Sequence, residues 1–230
     1  HAIREYAERY QCNCVTIQCW STLQKSIGIM PCLSNALLTD EGLPVMCESD
    51  IHGAIGSVMA QAAAMGRNVP FLADLTVRHP GNNNGELLFH CGNFPPSLAK
   101  QNARMRSGIH AEFESHLPGT CEGELRKGDL SIIRFDGDNG KYRMFMGKAR
   151  TTEGPFTWGS YVWIEVNDWP LWEETLVKGP YVHHCVCIYD DIIAPMYEAL
   201  QYIGNVEIDL VDPTEEELKR MMRGSERGKR

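Results

Sequence analysis

The chain has 230 residues, 43% of them hydrophobic and 23% charged, with a formal net charge of −8, proportions that suit a globular protein with a sizeable core. The negative balance argues against a surface for nucleic acid or anionic lipid, which needs a concentrated positive field, and no apolar run reaches the ~18 residues of a membrane span. Nine cysteines, several inside apolar runs such as VTIQCW, PVMCES and HHCVCIY, point to a reducing, cytoplasmic setting where thiols act as small buried hydrophobes.

In chain order, an amphipathic helix over Ala2 to Tyr10 opens the sequence with no initiating Met and feeds a strand over Cys14 to Cys19. That is how the middle of a domain reads, so a fragment or processed product is expected. A short helix around Leu33 to Leu38 and a strand over Leu43 to Cys47 follow. Next comes a helix over Ile51 to Met65, whose Ile51, Ile55, Val58, Met59 and Ala62 recur at helical spacing. Gly66 stops it before a strand over Val69 to Leu72. This alternation implies parallel neighbouring strands joined by a right-handed crossover, and residues 1–67 read as part of a parallel α/β domain.

After Leu75 the pattern changes. GELLFHCGNFPP reads as a strand broken by Gly and Pro. From Glu124 to Val166, the segments LSIIRF, KYRMFMGKA and WGSYVWIEV alternate with period two around Gly-bearing turns such as DGDNG. This part therefore reads as mostly antiparallel β, and the boundary between the two patterns falls near Arg67. A strand over Tyr181 to Tyr189, a helix over Ile192 to Ile203 with Pro195 in its first turn, the strand VEIDL and the capped helix TEEELKRMMR close the chain. The basic end, RGSERGKR, reads as a frayed, solvated tail.

The chemistry-bearing residues sit at strand ends. Glu48 follows the strand over Leu43 to Cys47, and Asp74 follows the strand over Val69 to Leu72. In an open α/β sheet such ends line the ligand crevice. Joined by one crossover helix, the two strands can lie about 5–10 Å apart, and two carboxylates that close repel unless a cation or proton lies between them. Ser49 or Asp50 reads as the N-cap of the following helix, a role to which Glu48 is poorly suited. His90 closes ELLFH, and His183 and His184 open HHCVCIY; adjacent strand residues face opposite sides, so one of that pair is expected in a given site. A single such His is more often a satisfied edge residue. Carboxylates together with an imidazole, however, suit Mn²⁺ or Mg²⁺.

Other motifs carry less. The pairs Cys12-x-Cys14 and Cys185-x-Cys187 are too closely spaced for a zinc knuckle, DGDNG reads as a hairpin turn rather than a calcium loop, and GNNNG lacks the Lys and Ser/Thr of a phosphate loop. Trp158, Trp163, Trp169 and Trp172 read as core packing before they read as a sugar platform. No Gly-x-Ser-x-Gly elbow is present.

The ordered run GLPVMCESDIHGAIGSVMAQ, VPFLADL, ELLFHCGNFPPSLA and HHCVCIYDD resembles the C-terminal half of the L-fucose isomerase and L-arabinose isomerase-like proteins. The likeness covers most of the chain from about CVTIQCW and is strongest from Leu43 to Ala99. It implies that residues 1–67 are part of a Rossmann-like α/β domain, and that residues 68–230 are a C-terminal isomerase domain with an antiparallel β-barrel. A Mn²⁺ site, with Mg²⁺ as a substitute, would lie where they meet. The resemblance places the metal ligands at Glu48, Asp74 and His184, makes Glu48 and Asp74 the proton-transfer pair working through an enediol, and puts substrate contacts at His183, Asn93, Gln18 and His90, the last of which also resembles a further histidine that ligates metal in the arabinose branch. It further implies a pentose or deoxyhexose substrate, a homo-oligomer, and an upstream segment that supplies further substrate contacts. A non-catalytic sugar-binding or assembly module on the same fold is the alternative, and a thiol or zinc protein built on the Cys-x-Cys pairs is a third.

Overall fold

Strand pairing organises the molecule. The computed structural model describes residues 1–101, 105–110 and 116–223. In order they form α1 (Ala2–Arg9), β1 (Val15–Thr16), a π-helical turn (Cys19–Leu23), α2 (Gln24–Ile27), α3 (Cys32–Asp40), β2 (Val45–Met46) and α4 (Ile51–Ala63). Then follow β3 (Phe71–Arg78), β4 (Gly85–His90), a 3₁₀ turn (Pro96–Leu98), β5 (Arg106–Ile109), β6 (Pro118–Glu124), β7 (Asp129–Asp138), β8 (Lys141–Thr152) and β9 (Ser160–Glu165). The chain ends with α5 (Trp169–Lys178), β10 (His184–Ile188), α6 (Ile193–Ile203), β11 (Val206–Leu210) and α7 (Glu215–Met222).

Six strands in the order β8, β7, β10, β3, β4, β9 pair antiparallel at every step, and β8 pairs back onto β9 to close a barrel. Closure removes the open edges of this wall. Period-two alternation then assigns the faces: Phe71, Ala73, Leu88, Ile132, Phe145 and Cys185 share one buried cluster, while Leu72, Ile133, Met144 and Val186 join a second with α4 and α6. The expected barrel is therefore present. The hairpin between β7 and β8 turns on Asn139 and Gly140, with φ of +52° and +77°, the paired left-handed residues of a type I′ turn.

The Rossmann-like parallel α/β domain expected of residues 1–67 is not formed. Their parallel pairing is β1 with β2, two residues each, matched Val15 to Val45 and Thr16 to Met46. β3 pairs with β10 and β4, antiparallel to both, and not with β2. So α4 is no crossover between parallel neighbours; it packs across β7 and β10 of the barrel. Its buried face is made of Gly53, Ala54, Gly56, Ser57 and Ala60, small enough for the helix axis to come close to the sheet. Ile51 and Ile55 stay exposed. Alternating helix and strand reads the same whether the second strand pairs with the first or joins a different sheet.

Smaller departures have local causes. The strand expected over Cys14 to Cys19 shrinks to β1 because the chain enters the π-helical turn at Cys19. The strand expected over Val69 to Leu72 runs on to Arg78 once both neighbours pair with it. α5, not expected, is capped by Asp168 on the Leu171 N–H, with Pro170 in its first turn. Trp163, Trp169 and Trp172 are buried, whereas Trp158 is exposed. α7 has the expected capping box between Thr214 and Glu217. Of the basic tail, residues 224–230 lie outside the described residues. No helix among the described residues is long and apolar enough to cross a membrane.

Candidate functional site

Asp74 on β3 and His184 on β10 are direct antiparallel partners. Directly paired residues project from the same face about 5 Å apart, here the face that carries Leu72 and Val186 beneath α4. Glu48 reaches them from the turn between β2 and α4. Glu48 and Ser49 both take left-handed backbone angles, with φ of +61° and +56°, which costs roughly 1–2 kcal/mol for each non-glycine residue. Four contacts hold the turn. The Ser49 N–H donates to the Ile17 carbonyl at 3.1 Å, the Glu48 N–H to Cys19 Sγ at 3.4 Å, the Ser49 hydroxyl to Gln18 Oε1 at 2.8 Å and the Trp20 indole N–H to Glu48 Oε1 at 2.8 Å.

The other Glu48 oxygen lies 3.6 Å from His184 Nε2, and Asp74 Oδ1 lies 3.5 Å from the same nitrogen. His183 Nε2 is 3.8 Å from Asp74 Oδ1. The expectation that only one of the two histidines enters the site is thus corrected: β10 begins at His184, so strand alternation does not govern His183.

Behind His184 stands Asp50. Its Oδ1 accepts from the Gly53 N–H at 2.8 Å, which caps α4 as expected, and its Oδ2 lies 3.0 Å from His184 Nδ1. The same Oδ2 accepts from the Arg134 guanidinium, whose Nε donates to Asp136 at 3.0 Å. Asp136 in turn meets His52 Nδ1 at 3.0 Å. A Cβ at Gly53 would stand 2.4 Å from Asp50 Oδ2, so only glycine leaves room for this carboxylate.

Electrostatics follow from the crowding of acids around one ring. Burial alone would lower the His184 pKa, but the carboxylates of Asp50 and Glu48 at its two nitrogens, with Asp74 beside them, push it up to about 10. The facing imidazole in turn holds Glu48 below its ordinary value. Burial raises Asp50, yet contacts with His184 and Arg134 outweigh it and hold the carboxyl well below the usual range. Burial drives His90 down to about 4 and lowers His183 and His110.

These donors fit a hard divalent cation. Asp74, His183 and His184 offer ligand atoms all within 4.8 Å of one another; Glu48 stands outside that group, with its Oε2 3.6 Å from His184 Nε2. Carboxylate oxygens with imidazole nitrogen match Mn²⁺ or Mg²⁺.

The remaining residues singled out in the sequence form a surrounding shell. His90 is buried with its ring centroid 6.3 Å from that of His184. Its Nδ1 accepts from the Cys91 N–H at 2.9 Å, so Nε2 carries the hydrogen, and among the described residues Nε2 has no hydrogen-bond partner. The Asn93 amide donates to Cys47 Sγ at 3.4 Å, behind Glu48. Gln18 is exposed and braces Ser49 and the Trp20 carbonyl. Cys185 and Cys187 are buried with sulfurs 3.7 Å apart, on one strand face as their spacing requires. Sequence reasoning missed Trp20, His110, which stands edge-on to Trp20 with ring centroids 6.4 Å apart, Arg134 and Asp136. It also missed the second role of Asp50. Only Asp50 left a local trace, the glycine three residues later.

No family model matches the chain. Curated relatives named sulfoquinovose isomerase do match. One from Priestia megaterium is 28% identical over 202 residues, covering 85% of this chain and 44% of that protein. Another, from Alkalicoccus urumqiensis, is 30% identical over 155 residues, 67% of this chain and 34% of that protein. A third, from Clostridium sp. strain MSTE9, is 23% identical over 195 residues, 83% and 42% of the two chains. The chain spans less than half the length of these relatives. They support a relationship to sugar isomerases, not to the L-fucose and L-arabinose isomerase family in particular.

Proposed function

We propose that this chain carries the metal-holding, proton-transferring part of an aldose–ketose isomerase. The observation that carries the reading is the convergence of Glu48 and Asp74 on His184 Nε2, at 3.6 and 3.5 Å, from three distant parts of the sequence. Sugar-isomerase relatives over 85% of the chain support it.

Glu48, Asp74 and His184 would hold a divalent ion, Mn²⁺ by preference, with His183 within reach. When bound, that ion polarises a sugar carbonyl and makes the neighbouring C–H more acidic. The two carboxylates then divide the proton work: one takes the carbon-bound proton and returns it to the adjacent carbon through an enediol, and the other manages the hydroxyl proton. Trp20 ties down Glu48 Oε1 and so fixes the direction of the other oxygen. Neutral His90 presents an Nε2 hydrogen beside His184, a donor suited to a sugar oxygen. The substrate is an aldose, with the sugar for which the relatives are named tested beside pentoses and deoxyhexoses.

The test is elemental analysis and ketose formation on that panel for the unmutated chain, Glu48→Gln and Asp74→Asn. Mn²⁺ bound at one equivalent, and lost together with activity in both variants, is the expected result. Full metal retention in both variants would refute the assignment. Sugar-induced thermal stabilisation with no ketose formed would favour a binding module.

A further inference from the structure

We propose that Asp50 is the positioning carboxylate of this centre: it holds the His184 ring by Nδ1 and thereby turns the Nε2 lone pair toward the gap between Glu48 and Asp74. This rests on the metal-isomerase reading above and adds to it a residue that contacts neither ion nor sugar.

Three observations carry the inference. First, a carboxylate only accepts hydrogen bonds, so an imidazole nitrogen 3.0 Å from Asp50 Oδ2 must carry hydrogen. In a neutral ring the lone pair then belongs to Nε2, the nitrogen that faces Glu48 and Asp74. Carboxylate–imidazole pairs of this kind set the tautomer and basicity of ligating histidines.

Second, Asp50 is unavailable as a ligand itself. Oδ1 is taken by the Gly53 N–H, and Oδ2 accepts from both His184 and Arg134. The Arg134 side chain is 3% exposed and spans Asp50 and Asp136, so its charge offsets that of Asp50 and leaves the negative potential concentrated on Glu48 and Asp74.

Third, the position is built rather than incidental. Asp50 sits at the N-terminus of the 13-residue α4, where the helix dipole favours an anion, and the bare Cα of Gly53 makes space for its carboxylate.

The experiment is calorimetric titration of Mn²⁺ into the full 230-residue chain, unmutated and as Asp50→Asn and Asp50→Ser, with metal-free melting temperatures measured in parallel. Asparagine keeps the size and the capping oxygen. Its amide, however, turns an N–H toward His184 Nδ1 and forces the ring hydrogen onto Nε2. Serine keeps a helix cap but does not reach the ring. The Mn²⁺ dissociation constant is expected to rise about 10–100-fold in both. Long-range ¹H–¹⁵N spectra of the Zn²⁺-loaded unmutated chain should show His184 protonated at Nδ1, a readout that needs no variant to fold. A dissociation constant within twofold of the unmutated value in either folded variant overturns the inference while leaving the metal site standing, whereas a hydrogen on Nε2 in the loaded chain removes His184 as a ligand and overturns both. Failure of the unmutated chain to bind Mn²⁺ overturns the metal site and this inference together, and is seen before any substitution is made.

Discussion

Asp74 and His184 face each other across the β3–β10 ladder, 110 positions apart in sequence and 3.5 Å apart at their closest ring and carboxylate atoms. Their placement is a property of strand register. A one-residue slip would turn both side chains to the opposite face, so the site is as secure as the barrel wall that carries it.

Replacing His184 by Gln should therefore act in two ways. The metal-free protein loses the cation that balances Glu48, Asp50 and Asp74, and breaking a buried pair on one side costs about 3 kcal/mol. Metal binding should be lost as well. Urea denaturation of the metal-free protein, paired with a Mn²⁺ titration, checks both, and a variant as stable as the unmutated chain would contradict the charge balance described here.

Gly53→Ala separates helix propensity from site geometry. Alanine favours a helix interior by about 1 kcal/mol over glycine, yet its Cβ would stand 2.4 Å from Asp50 Oδ2. A net loss of stability is expected, with Mn²⁺ affinity down at least tenfold. A gain in melting temperature with unchanged affinity would show that the carboxylate can move aside.

Trp20→Phe removes the hydrogen bond to Glu48 Oε1 and keeps an aromatic ring. A hydrogen bond to a charged group contributes about 1.5–3 kcal/mol, so kcat/KM for the proposed aldose isomerisation should fall roughly ten- to hundredfold, with folding intact by circular dichroism. Steady-state kinetics would show whether the loss sits in kcat, as expected if the indole orients the proton-transfer oxygen.

Away from the site, Glu86 on β4 is buried beside Arg78, 3.6 Å away, and burial pushes its carboxyl up to about 7. The ordinary value is near 4.5, so between these pH values the folded chain holds this proton more tightly than the unfolded chain. Stability from this group is full below about pH 4.5, falls as pH rises toward 7, and is level above that. The loss is at most about 3 kcal/mol. Glu86→Gln should be more stable than the unmutated chain at pH 8 and nearly equal to it at pH 4.5, by urea denaturation at both. Equal effects at the two pH values would place the carboxyl in the ordinary range.

Features written in a few neighbouring residues were legible from the sequence: the Asn139–Gly140 hairpin, the Thr214–Glu217 capping box, the Asp50 helix cap and the alternation of β7, β8 and β9. The ordered motifs also singled out Glu48, Asp74 and His184 as residues to examine together. Which strands pair was not legible. Period-two alternation names the faces of a strand but not its partner, and this is why the strand after α4 was expected beside β2 and lies instead between β10 and β4.

The sequence by itself thus determined the local elements and the chemical types available for a site, because backbone propensity, capping and alternation act over a few residues. Tertiary structure decided that β3 joins an antiparallel barrel, that both His183 and His184 face Asp74, and that Arg134, 84 positions from Asp50, closes the shell behind His184. Long-range strand register and buried charge pairing depend on which segments meet when the barrel closes, and no local pattern encodes that meeting.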